Sequence, residues 1–81
     1  MRVDKFLKNS RLIKRRTVAK EACEHDRIFI NERQAKPGSD VRAGDVLRVC
    51  FGSGEIKVRV LETPDHVTKE SSQNLYEVLT E

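Results

Sequence analysis

Eight cationic side chains near the start of this chain suit one kind of chemistry, the gripping of phosphate. Arg2, Lys5, Lys8, Arg11, Lys14, Arg15, Arg16 and Lys20 are half of the sixteen Lys and Arg in the 81 residues, and Asp4 is the only acid among them. Each arginine offers a planar fork that matches two phosphate oxygens or a base edge and can stack on an unpaired base. Lys5, Lys8 and Lys20 act as point charges that steer. Lys14-Arg15-Arg16 falls where a second helix is predicted to begin, so free backbone N–H groups and the positive dipole end add to the attraction. A solvated helix face is the plain alternative. Asp4 and Lys8, spaced i, i+4, could form one ion pair of about 0.2–0.5 kcal/mol. One such pair does not neutralise eight cations, and binding of a polyanion is the stronger reading.

Other chemistries fail quickly. No nucleophile stands at a suggestive spacing from a base and an orienting acid, so the chain reads as a non-enzyme. His25 sits near a predicted helix C-terminus, where the dipole alone favours it, and His66 stands in a polar stretch. A metal needs at least three converging ligands; Cys23 and His25 supply two that face different ways. Neither metal nor cofactor is expected. Cys23 and Cys50 are too few and too far apart for a disulfide framework and read as buried free thiols, in keeping with a cytoplasmic protein. Gly52-Ser53-Gly54 lacks the Lys-Ser/Thr and following helix of a phosphate loop and reads as a hairpin turn. No apolar run is long enough to span a bilayer or follows the basic start as a signal peptide, and bulky interfacial anchors are missing, so no membrane role is expected.

The elements that must position the cations are legible from periodicity. Val3, Phe6 and Leu7 recur at i, i+3, i+4 beside a basic stripe of Arg2, Lys5 and Lys8, which predicts a helix of about two turns. Asn9 and Ser10 end it by competing for backbone hydrogen bonds. Leu12 and Ile13 anchor the turn, and a second helix starts near 14–16 with Val18, Ala19, Ala22 and Cys23 on its buried face. From Arg27 the period becomes two. Ile28 and Ile30 point one way, Asn31-Glu32 turns, and residues 36–40 form a loop around Pro37-Gly38. Ala43-Gly44-Asp45 is a tight turn. Val46 to Phe51 and Ile56 to Leu61 form a hairpin with Ile56, Val58 and Val60 buried, and residues 63–74 read as a polar loop. Leu75 to Leu79 is a last strand with Tyr76 and Val78 on one face. The class is α+β: two short N-terminal helices on a small, mostly antiparallel sheet. One domain is expected, with residues 1–62 as its RNA-binding body and 63–81 as a loop and C-terminal strand of the same unit.

Charge is unevenly distributed. Residues 1–36 carry eleven Lys/Arg against five Asp/Glu, and residues 37–81 carry five against eight, so a net +3 hides a basic end and an acidic end. Such a chain binds in one orientation. Two helices joined by a turn can imitate a DNA-reading helix-turn-helix. The predicted second helix, however, offers Lys20, Glu21 and Glu24 where a groove reader needs Asn, Gln or Arg. Charge at the helix start and on the first helix favours the shaped backbone of RNA over base edges. Phe6, Phe29, Phe51 and Tyr76 all stand at apolar-patterned positions, which argues against a stacking platform.

Arg2-Val3-Asp4-Lys5-Phe6-Leu7 and Arg11-Leu12-Ile13-Lys14-Arg15-Arg16-Thr17 with Ala19 open an ordered series of motifs. Ile28-Phe29-Ile30-Asn31, Lys36-Pro37 and Val41-Arg42-Ala43-Gly44-Asp45 continue it. Together they resemble the RNA-binding domain of the ribosomal-protein-S-four type. The whole chain, with Phe51-Gly52 and Asn74-Leu75-Tyr76, is similar to a stand-alone bacterial branch of that family. That branch serves ribosome-associated quality control and is related to a small heat-shock protein that binds free large subunits. The resemblance implies a cytoplasmic factor, a monomer when free, that contacts rRNA of obstructed large ribosomal subunits and steadies peptidyl-tRNA. It would thereby support C-terminal alanine tailing by a partner that recruits alanyl-tRNA. It also implies that Arg2, Lys5, Arg11, Lys14, Arg15 and Arg16 touch RNA, Arg2 and Arg16 foremost, while Asp4 orients its neighbours. The same domain occurs as an accessory of RNA-modifying enzymes, so an RNA-targeting module is the alternative. Asp26 stands where the family usually has Gly before the first strand, and Glu32 where Asn-Gly usually makes the turn.

Overall fold

The computed structural model of the protein describes residues 1–64 and 75–79. Of the loop expected at residues 63–74, residues 65–74, His66 included, lie outside the described residues. Helix α1 spans Val3–Asn9 and α2 spans Arg16–Glu24. Five strands follow: β1 (Ile28–Ile30), β2 (Arg33–Gln34), β3 (Val46–Phe51), β4 (Gly54–Val60) and β5 (Tyr76–Val78). They form one sheet in the order β2-β1-β3-β4-β5 with every neighbouring pair antiparallel. The α+β reading holds.

Alternation along β3 and β4 explains how the layers meet. Leu47, Val49, Val58 and Val60 point to the helix side and are buried, and Ile28 of β1 joins them. Val3, Phe6 and Leu7 from α1 and Ala19 and Cys23 from α2 complete the same core, with Ile13, Ala35, Val41 and Leu75 around it. The small side chains of Ala19 and Cys23 let the two short helices approach closely. Their buried stripe is narrower than expected. Val18 is 46% exposed, because it lies about 100° around the helix from Ala19 and α1 is too short to cover that flank.

Helix ends and turns follow local chemistry. Ser10 closes α1 as its C-cap, and its hydroxyl donates to the Leu7 carbonyl at 3.2 Å. Arg11 then takes a left-handed φ of 63°. At the end of α2, Asp26 adopts φ 61° while the amides of Asp26 and Arg27 donate to the carbonyls of Cys23 and Ala22 at 3.3 and 3.0 Å. That is a Schellman closure with Asp at the position where glycine is easiest. The β1–β2 turn has φ 51° at Asn31 and 66° at Glu32, the primed type that suits a two-residue hairpin. Glu32 thus occupies a glycine-preferring site without changing the turn type.

Several side chains sit elsewhere than their sequence pattern suggests. Phe51 and Val78 are exposed, Phe29 and Tyr76 are half-buried, and Cys50 is only half-buried on the outer face of the sheet. Phe51 and Val78 belong to a hairpin tip and an edge strand, where alternation continues after the core has ended.

Candidate nucleic-acid interface

Asp4 organises the basic face. It is buried one residue inside α1, and its Oδ1 accepts the Lys5 backbone N–H at 2.8 Å. Arg2 donates to it through Nε at 3.3 Å and Nη2 at 3.2 Å. From the start of α2, Arg16 Nη2 lies 3.6 Å from the same carboxylate. Two guanidinium groups from the two helices therefore converge on one anion. Their side chains remain 55% and 50% exposed while that of Asp4 is 3% exposed, so the pair keeps a net positive charge facing solvent. The expected pairing of Asp4 with Lys8 does not occur among the described residues; the carboxylate turns toward the arginines instead.

Around this centre Lys8, Arg11, Lys14, Arg15 and Lys20 are exposed, and none forms an ion pair among the described residues. Lys20 follows Arg16 by one turn on the same side of α2. Arg11, Lys14 and Arg15 lie in the connection between the helices. Lys5 is half-buried on α1. No side chain caps the start of α2, whose N-cap is Arg15 in an extended conformation. Its first amides and the positive end of its dipole add to the local field. The arrangement can hold phosphate oxygens in forks and attract a polyanion. It offers no group placed for bond-making, and no cluster of three His, Cys, Asp or Glu able to hold a metal occurs among the described residues. No helix there is long and apolar enough to cross a membrane.

The anchoring of α1 was invisible in the sequence. Its entry is stitched to the loop before Val41: the Val3 amide donates to Ser39 O at 2.8 Å and the Asp4 amide to Pro37 O at 3.4 Å. The Val41 amide returns to Met1 O at 2.8 Å. Arg2 and Asp40 form an isolated antiparallel bridge. The Asp40 carboxyl is held below its usual range by hydrogen bonds from the N-terminal ammonium and then from Arg42. Backbone groups do most of this work, so no side-chain pattern announces it. Burial, aided by the Asp4 and Glu24 carboxylates, pushes the Cys23 thiol up to about 11.

Comparison with known proteins fits this geometry. The family model described as S4 domain matches residues 1–47. A Bacillus subtilis (strain 168) protein named RQC P-site tRNA stabilizing factor is 54% identical over 81 residues, which are all of this chain and 94% of that protein. A protein of the same name from Halalkalibacterium halodurans is 51% identical over all of this chain and 92% of its own length. The solved structure of heat shock protein 15 from Vibrio cholerae superposes with a TM-score of 0.88 at 26% identity, covering 98% of this chain and 81% of that one.

Proposed function

Because this chain belongs to the S4-domain family, in the branch whose members are named RQC P-site tRNA stabilizing factor, we propose that it is a non-enzymatic RNA-binding factor of ribosome-associated quality control. It works in the cytoplasm on obstructed large ribosomal subunits. There its helix face contacts rRNA and peptidyl-tRNA and keeps the tRNA in place while a partner that recruits alanyl-tRNA extends the stalled chain. Arg2 and Arg16 are the principal contacts. Lys5, Lys8, Arg11, Lys14, Arg15 and Lys20 surround them, and Asp4 sets the direction of the two arginines.

One observation carries this reading: two half-exposed arginines from different helices are aimed by a single buried carboxylate. The carboxylate is buried but both guanidinium groups stay half exposed, so the pairing leaves their outer donors open to a ligand. Fixing a guanidinium before the ligand arrives removes part of the ordering cost of binding.

Co-sedimentation with large subunits tests it. Arg16→Ala or Arg2→Ala should abolish binding with little change in thermal midpoint. Wild-type affinity should fall with salt at a log–log slope of about −0.7 to −0.9 per phosphate neutralised. Binding that survives both substitutions would refute the site, and a salt-independent interaction would point to a protein contact instead.

A further inference from the structure

The side of the sheet facing away from the helices also carries cations, and three of them, projecting from neighbouring strands, have acidic partners among the described residues. Arg48, Lys57 and Arg59 project from β3 and β4 on that face. Arg48 reaches Glu55 at 3.0 Å and Glu32 at 3.3 Å, and its guanidinium lies 4.2 Å over the Phe29 ring. Lys57 reaches Glu32 at 3.7 Å and Arg59 reaches Glu77 at 2.9 Å. Three acids thus match these three cations, in contrast to Lys8, Arg11, Lys14, Arg15 and Lys20 of the helix face, which form no ion pair among the described residues.

Glu32 is the odd member of this network. It occupies the second position of the primed turn at φ 66°, where glycine is the unstrained choice. Its carboxylate bridges both Arg48 and Lys57 and is itself 57% exposed. Arg48 is half-buried but already has Glu55 at 3.0 Å, the pair with Lys57 is exposed and contributes little to stability, and the strained backbone detracts from it. Stability therefore does not explain a glutamate at this position. Availability of charge does. An arginine stacked on a phenylalanine, next to a lysine, is a surface that takes up single-stranded RNA when its charges are free.

We propose that Glu32 is a specificity-determining residue that neutralises the outer face of the sheet and so prevents RNA from binding there. The inference rests on the helix-face reading above. With Arg48 and Lys57 neutralised, the sheet competes less with the helix face for RNA, since a competing site would trap the molecule in unproductive complexes.

The test measures binding of poly(U), a featureless single strand, at low salt. Glu32→Gln removes the charge without relieving the backbone, and Glu62→Gln makes the same change in net charge at an exposed site outside the network. Glu32→Gln should tighten poly(U) binding by roughly three- to tenfold with a steeper salt slope, and Glu62→Gln by less than about twofold. Adding Lys57→Gln to Glu32→Gln should take most of the gain away. Equal poly(U) affinity for Glu32→Gln and Glu62→Gln would overturn the proposal. Large-subunit binding by Arg16→Ala, measured alongside, separates the two readings. If Arg16→Ala binds as wild type does, the helix-face site falls, while the comparison of the two glutamine variants still decides the role of Glu32.

Discussion

Asp4 places a negative charge in the middle of a surface whose proposed partner is negative, and the sign of its effect distinguishes two roles. As a mere local charge it would repel phosphate, and its removal would tighten RNA binding. As the anchor of Arg2 and Arg16 it would do the reverse, because both guanidinium groups would lose the acceptor that directs them. Asp4→Asn keeps the size of the side chain and an oxygen for the Lys5 amide but removes the charge that holds the forks. Affinity for large-subunit rRNA should therefore fall about tenfold, or about 1.4 kcal/mol, in a filter-binding titration. A rise in affinity would mean that the arginines find their direction without Asp4. The presence of a carboxylate among the cations was plain in the sequence. Its choice of partner was not: the i, i+4 rule selected Lys8, whereas Arg16 lies twelve residues away and meets Asp4 only because the helices pack together.

At the scale of elements, periodicity located both helices and the β3–β4 hairpin to within about two residues, because each buries one face on a common core. It misjudged the margins. Val18 fits the apolar pattern of α2 yet projects past the short α1, and Phe51 fits the strand pattern at a hairpin tip yet is 47% exposed. The loop that anchors α1 was unreadable because it holds the helix through carbonyls of Pro37 and Ser39. The unusual residues at Asp26 and Glu32 leave the expected architecture intact: both accept left-handed backbone, and the closure of α2 and the hairpin turn keep their ordinary hydrogen bonding and turn type. Strain at Asp26 has a measurable size. Asp26→Gly relieves the positive φ but gives the unfolded chain more freedom, so the net gain should be about 0.5 kcal/mol. For a domain of this size that is a rise of about 2–4 °C in the calorimetric midpoint. Binding to large subunits should stay unchanged, since Asp26 lies at the far end of α2 from Arg16. A lower midpoint would show that the Asp side chain stabilises the turn by more than its backbone costs.

For the molecule as a whole, charge is segregated over a body measuring 30 × 28 × 22 Å. The screening length at physiological salt is about 8 Å, so the basic helices and the balanced sheet face act as separate surfaces. The net charge of +3 is not what an approaching RNA meets. Stability has its own dependence on pH through the core. The Cys23 thiol is raised from 9.0 to about 11, so folding favours its neutral form. That contribution is complete below the unfolded value and is lost as pH rises through the folded one. The thermal midpoint of wild type should therefore drop more than that of Cys23→Ala between about pH 8 and pH 11, with equal declines arguing against burial of the thiol. The stitching of α1 has a consequence for timing. Its first amides are fastened to the segment that leads into the sheet, so the helix does not have to fold or swing when RNA arrives. If RNA lands on this face as proposed, recognition is a rigid-body landing, and the rate of encounter is set by diffusion and steering instead of by an internal rearrangement.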